Sequence, residues 1–141
     1  MKHLRSSEDQ TFLKEFEAYT FPPAEFDHRA HVRLAYVYLC EHDTDAAYQL
    51  MKRSLLSFIT HHGADISKYH ETITRAWIMA VRHFMENTPD SRSSDDFIGR
   101  NPRILDSKIM LTHYSAELLF SEEARAGFVE PNLDPIPRYE A

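Results

Sequence analysis

Histidines and acidic residues in two segments have the types and spacing of side chains that bind metals or move protons. The segment "DHRAHVRLAYVYLCEH" places His28 and His31 three residues apart, and "SKYHETIT" places Tyr69, His70 and Glu71 in succession. Neutral imidazole ligates zinc, copper, iron and nickel, and it also acts as a general acid or base. These residues therefore indicate a metal site or an acid–base site.

The metal hypothesis assigns His28, His31 and His70 as ligands of a transition metal, namely zinc, iron or copper. If His28 and His31 share a helix, their Cβ atoms lie roughly 5–6 Å apart. Glu71 or Glu25 would supply a carboxylate, and two histidines plus a carboxylate leave positions open for a substrate. The chain has no HExxH motif, and its single cysteine excludes a Cys-based zinc cluster.

A metal-free pocket for acid–base chemistry or ligand binding would use the same part of the chain. The candidate catalytic residues are His70, Glu71, Tyr69 and Tyr114. The candidate ligand-binding residues are Arg29, Thr74, Trp77, Ser115 and Arg125. Arginine holds anionic groups through charge-assisted hydrogen bonds, and histidine near tyrosine or glutamate can pass a proton.

A third hypothesis is a non-enzymatic helical module that dimerises through an apolar face. The alternative to a metal site is that the histidines are core residues bonded to tyrosine or glutamate. Arg125 would then be a surface arginine that pairs with Glu122, three residues before it. Whether the protein is an enzyme stays open at this point.

The elements that must position these residues are helices, because apolar residues recur at three- and four-residue steps almost throughout. We expect a single all-α domain spanning residues 1–141. Its predicted architecture is an up-and-down bundle of four to five main helices, with short C-terminal helices and an extended tail that contains three prolines. The predicted long helices start after Ser6 or Ser7, cover about 27–41 and 44–61, run from 67–70 to 85 or 86, and cover about 104–113.

The order of these helices predicts where the histidines meet. If the second to fifth helices alternate in direction, the second and fourth start at the end of the bundle where the third and fifth finish. Six of the nine histidines would gather there. They are His28, His31, His61, His62, His70 and His113, and Tyr114 would lie beside them.

Composition limits the classes of partner. The net charge is −6, with no cluster of basic residues, which argues against nucleic acid or anionic lipid. No run approaches the roughly 20 apolar residues of a membrane span. Three scattered glycines form no phosphate-binding loop. We therefore expect a cytoplasmic protein with no nucleic-acid or membrane partner, and the expected partners are a small-molecule ligand and, as a further hypothesis, a second copy in a homodimer.

Three stretches resemble a group of small bacterial all-helical proteins whose activity is not established. They are "FDHRAHVRLAYVYL", "KYHETITRAWI" and "HYSAELLFSEEARAGFVEPNLDPIP", and the similarity runs from about residue 26 onward. The resemblance implies which positions matter and carries over no function. Those positions are His28, Arg29, His31, Tyr69, His70, Glu71, Thr74, Tyr114, Ser115 and Arg125.

Overall fold

The protein is an all-α helical bundle, described by a computed structural model over residues 2–139. Its long helices are α1 (Ser7–Glu17), α2 (His28–Leu39), α3 (Thr44–His61) and α4 (Glu71–Glu86). The shorter elements are β1 (Lys2–His3), β2 (Asp90–Ser91), α5 (Ser94–Arg100), α6 (Ala116–Leu119) and α7 (Glu122–Ala126). Short 3-10 helices cover Pro23–Glu25, Ile66–Lys68, Pro102–Leu105 and Ser107–Thr112.

Polar side chains fix where the helices begin, because each accepts a hydrogen bond from a backbone N–H that has no partner inside the helix. Ser6 and Asp9 form a reciprocal capping box at the start of α1. Asp27, Ser93, Ser115 and Ser121 cap later helices in the same way, each accepting from the N–H three residues further on. Gly63, with φ of +69°, takes the left-handed conformation just after α3, as expected of a helix stop.

Contacts along the helices establish the alternating directions of α2, α3 and α4. Arg75 stands over the Tyr48 ring and Lys52 pairs with Glu71, so α3 and α4 run antiparallel. Phe26, just before α2, packs against Phe58 near the end of α3. One end of the bundle therefore gathers the start of α2, the end of α3 and the start of α4.

The prediction of a fifth long helix over 104–113 is wrong. These residues instead form parts of two 3-10 helices separated at Asp106, whose side chain accepts from the Lys108 N–H and restarts the turn. The fourth helix begins at Glu71, and His70 is its N-cap. Tyr36, on the same side of α2 as the exposed Arg29, is fully buried beneath the N-terminal strand and stacks on Phe97.

Two short strands, which the sequence pattern did not predict, tie the N-terminus to the segment after α4. Lys2 and His3 pair in parallel with Asp90 and Ser91. In the part of the chain that the structure describes, every helix is too short or too polar to cross a lipid bilayer.

Candidate ligand-binding site

Two adjoining cavities open at the end of the bundle where α2 and α4 start. The smaller, of about 440 Å³, lies between α2, α4 and the Ser107–Thr112 turn, and the larger, of about 500 Å³, lies between the end of α3, the start of α4 and α7. Both volumes fall within the range of small-molecule pockets. The cavities share a wall made of Phe26, His31, Ile73 and Phe120.

His31 is the polar side chain on that shared wall. Burial lowers the pKa of His31 to about 4, and the neighbouring His28 acts in the same direction. The imidazole is therefore neutral at pH 7, with one nitrogen donor and one nitrogen acceptor. Within residues 2–139 it makes no hydrogen bond, so both nitrogens remain for a ligand in the cavities.

His28 lines the smaller cavity and is held by two contacts. Its Nε2 donates to the Ile104 carbonyl at 3.0 Å, and its ring meets Trp77 edge-on with centroids 4.7 Å apart. Because Nε2 carries the proton, only Nδ1 is left as an acceptor. His28 can therefore offer at most one nitrogen to a ligand.

His70 lies between α4 and α6 and uses both ring nitrogens. Nδ1 accepts from the Ile73 N–H at 3.1 Å, and Nε2 donates to the Leu119 carbonyl at 2.8 Å. Burial lowers the pKa of His70, and the Leu119 carbonyl opposes this shift. The residue is thus a neutral helix cap that joins α4 to α6, and ligating a metal would break one of these bonds.

Of the three predicted metal ligands, His70 has both ring nitrogens in hydrogen bonds, His28 has one, and His31 has neither within the described part of the chain. Structural zinc sites need four ligands and catalytic ones three protein ligands. Among the described residues, no group of three or more histidine, cysteine, aspartate or glutamate side chains is placed to hold a metal ion. The site of zinc, iron or copper on His28, His31 and His70 stays a prediction for metal analysis.

Glu71 and Tyr69 form a charged cluster beside the larger cavity. The Tyr69 hydroxyl donates to Glu71 Oε1 at 3.0 Å, and Lys52 Nζ lies 3.1 Å from the same oxygen. Burial raises the pKa of Glu71, whereas the Arg75 charge lowers it. Tyr69 and Thr74 line the larger cavity, while Glu71 lies behind them.

Three other candidate residues lie outside both cavities. The Tyr114 hydroxyl donates to the Val129 carbonyl at 2.7 Å, and burial raises the pKa of Tyr114 to about 12. Ser115 caps α6 and accepts from the Asn132 amide. Arg29 forms an exposed ion pair with Asp95 at 2.9 Å. The structure does not bring these three to the cavities.

Arg125 and Trp77 do reach the cavities. Arg125 lines the larger one and donates through Nη1 to the Ser67 carbonyl at 2.7 Å, so the expected pair with Glu122 is not formed. Trp77 lines the smaller cavity.

The predicted gathering of six histidines is only partly realised. His28, His31, His62 and His70 line the cavities. His61 lies beside them at the end of α3, with its ring centroid 5.1 Å from that of His62, and it also stacks on Tyr19. His113 lines neither cavity and donates through Nδ1 to the Asp134 carbonyl.

Most of the apolar residues that line the cavities were not among the candidates predicted from the sequence. Phe26 lies in a connection before α2, and Phe120 lies between α6 and α7. Phe120 is 62% exposed although it lines both cavities. Its place at the end of the apolar run "LLF" was the available signal, but such a run indicates core as readily as a binding surface.

The low pKa of His31 predicts a pH-dependent stability. The unfolded chain has the ordinary histidine pKa of 6.5, so it binds a proton more readily than the folded protein does. The contribution of neutral His31 to stability is therefore fully present above pH 6.5 and is lost as the pH falls toward about 4. We expect His31→Gln to weaken this dependence in urea denaturation between pH 7 and pH 4.

The matched control is His42→Gln, which removes an exposed histidine from the α2–α3 connection. His70 contributes a shift in the same direction, so a shallower dependence should persist in His31→Gln. Identical pH profiles for the wild type and both variants would contradict the buried, neutral state of His31.

Taken together, the cavities have largely apolar walls and a small number of polar groups. Lys68 and Arg125 add positive charge beside the larger cavity, and His31 and Tyr69 add hydrogen-bonding groups. Apolar walls with a few fixed polar groups are typical of sites that bind small molecules. Comparisons of the chain with models of protein families, with curated proteins and with solved structures find no match.

Proposed function

We propose that this protein binds a small, mainly apolar molecule with one hydrogen-bonding or anionic group in the two adjoining cavities. The observation that carries the proposal is His31, a neutral imidazole on the shared wall that has no hydrogen-bond partner within residues 2–139. Within residues 2–139 the His31 nitrogens are not fully hidden from solvent, so a ligand in the cavities can reach them and replace water as their hydrogen-bond partner.

The other residues that line the cavities indicate the chemistry of the rest of the ligand. Phe26, Ile73 and Phe120 offer flat and branched apolar surfaces on both sides of His31. Lys68 and Arg125 lie at the larger cavity, where they favour an anionic group. An aromatic body with a hydroxyl, carboxylate or sulfonate therefore matches the lining.

Binding is better supported than acid–base catalysis. A general base works best when its pKa lies near the working pH, and the pKa of His31 is about 4. His70 has both ring nitrogens in hydrogen bonds, and Glu71 lies outside the lining. His31 is thus suited to orient a ligand by hydrogen bonding.

The test uses the fluorescent probe 8-anilinonaphthalene-1-sulfonate, which has an aromatic body and an anionic group. We expect saturable binding, and we expect Phe120→Ala to weaken it about tenfold, since burying a phenylalanine side chain contributes about 1.5–3 kcal/mol. Leu133→Ala is the matched control, because Leu133 is 52% exposed and lines neither cavity. Equal affinities for the two variants would place the probe elsewhere and refute the proposal.

The role of His31 is tested with 2-naphthol and naphthalene, observed through saturation-transfer NMR on the ligand. The wild type should prefer 2-naphthol, whose hydroxyl can bond to the imidazole. His31→Phe keeps an aromatic ring on the wall and should lose this preference. A preference that survives in His31→Phe would show that another group selects the hydroxyl.

The remaining expectations from the sequence accompany this proposal. A cytoplasmic location and the absence of nucleic-acid and membrane partners rest on the net charge of −6 and the lack of long apolar runs. The homodimer and the transition metal stay predictions, to be checked by sedimentation and elemental analysis.

A further inference from the structure

A third cavity, of about 370 Å³, lies on the α3–α4 face toward the start of α3. Arg75 and Arg82 reach it from α4, and Arg138 reaches it from the C-terminal segment. The position of Arg138 is fixed by its neighbour Tyr139, whose hydroxyl hydrogen-bonds with His83 Nδ1 at 2.8 Å and whose ring stacks on His83. Three arginine side chains thus line one small space.

Arg75 is held in place without a negative partner. Its guanidinium carbon lies 4.6 Å from the centre of the Phe128 ring and 5.2 Å from that of Tyr48. Within residues 2–139 it makes no hydrogen bond or ion pair, and the nearby Glu71 pairs with Lys52 instead. Ring faces fix the plane of a guanidinium and leave its N–H edge free to donate.

Arg82 lines the same cavity, but its charge is matched within α4. Its Nε lies 3.3 Å from Glu86 Oε2 in an i,i+4 ion pair and is hidden from solvent. This nitrogen is therefore out of reach of a molecule in the cavity, and Arg82 contributes only its positive charge to the lining.

The acidic residues at this cavity have other roles. Asp43 caps α3 by accepting from the Ala46 N–H, and Asp45 lies in the first turn of that helix, where a negative charge is favourable. Arg138 pairs with Glu130. Arg75 therefore remains as the cation whose charge is not matched by an ion pair.

We propose that this cavity binds an oxyanion, a carboxylate or a phosphate, carried by a small aromatic molecule. Arg75 would donate two parallel hydrogen bonds to the oxyanion, a geometry that suits both groups. Tyr48, Met79 and Tyr139 line the same space and would contact the aromatic part. This site is separate from the cavities around His31.

The experiment titrates the full chain with phenyl phosphate and with benzoate, using benzyl alcohol as the uncharged comparison. Calorimetry should show saturable binding of one or both anions, with a higher affinity than for the alcohol. In Arg75→Met, which keeps an apolar side chain between the two rings, affinity should fall at least about tenfold. Arg53→Met is the matched control, because Arg53 is an exposed arginine of α3 that does not line the cavity.

Two further measurements decide the location without relying on one variant. In the wild type, NMR shifts on adding phenyl phosphate should concentrate on Tyr48, Met79 and Tyr139. These shifts should be lost in Arg75→Met and kept in Arg53→Met. The proposal is overturned if neither anion binds at millimolar concentration, if Arg75→Met and Arg53→Met weaken binding equally, or if the NMR shifts fall only on residues of the cavities around His31.

Discussion

Replacing Asp9 by alanine should lower the free energy of unfolding by about 3 kcal/mol, because it breaks a buried network of charged hydrogen bonds. Asp9 is 1% exposed. Its carboxylate accepts from the Ser94 N–H and hydroxyl, from the Ser6 N–H and from Arg33 Nε. The side chain thus joins α1, α2 and α5, and alanine leaves all of these donors unpaired.

The measurement is urea denaturation of the wild type, Asp9→Ala and Glu8→Ala. Glu8 is the neighbouring acid in the same first turn of α1 and is exposed, so its loss should cost less than about 1 kcal/mol. If the two variants lose similar stability, the network around Asp9 contributes no more than a surface charge.

The pKa of Asp9 gives this prediction a pH signature. Burial raises the pKa, but the hydrogen bonds from Ser94, Ser6 and Arg33 outweigh it, so the pKa lies below the ordinary value of 3.8. The stabilisation is therefore present at neutral pH and is lost as the pH falls through the lowered pKa. The difference between the wild type and Asp9→Ala should shrink below about pH 4.

Helix positions and caps were predictable because they depend on neighbouring residues. Ser6, Asp27 and Ser121 each accept from an N–H three residues later, a distance that the sequence displays directly. The inward position of His28 and His31 likewise followed from their spacing. These features need no knowledge of the rest of the fold.

The hydrogen bonds of the histidine rings were not predictable in this way. His28 donates to the carbonyl of Ile104, 76 residues away, and His70 donates to that of Leu119, 49 residues away. Both acceptors are backbone groups, which every residue type supplies. The sequence therefore shows that imidazoles point inward, but it does not show which of their nitrogens are already used.

Tyr36 illustrates the same limit for packing. Its helical position predicts an outward side chain, yet its hydroxyl donates to the Leu4 carbonyl and its ring stacks on Phe97. The N-terminal strand and α5 cover that face of α2. Both covering segments are too short to carry a periodic pattern of their own.

Replacing His70 by alanine should lower the free energy of unfolding by about 2–4 kcal/mol. The variant loses the cap on the Ile73 N–H, which contributes about 1 kcal/mol, and leaves the Leu119 carbonyl buried without its donor, which costs about 1–3 kcal/mol. His70→Asn should recover about 1 kcal/mol, because asparagine caps the helix but is too short to replace the bond to Leu119. Urea denaturation measures all three proteins.

The exposed His42 provides the matched control, and His42→Ala should change stability by less than about 0.5 kcal/mol. Equal stability of His70→Ala and the wild type would contradict a capping role for the imidazole. So would a failure of His70→Asn to exceed His70→Ala.

The same variant separates the structural role of His70 from the predicted metal site. Elemental analysis of protein purified without a His tag or chelator should give the same metal content for the wild type and His70→Ala if the ring is committed to Ile73 and Leu119. Near-stoichiometric zinc, iron or copper that disappears in His70→Ala would instead mean that the ring gives up a hydrogen bond to ligate. That result would reassign the cavities around His31 from a metal-free pocket to a metal centre.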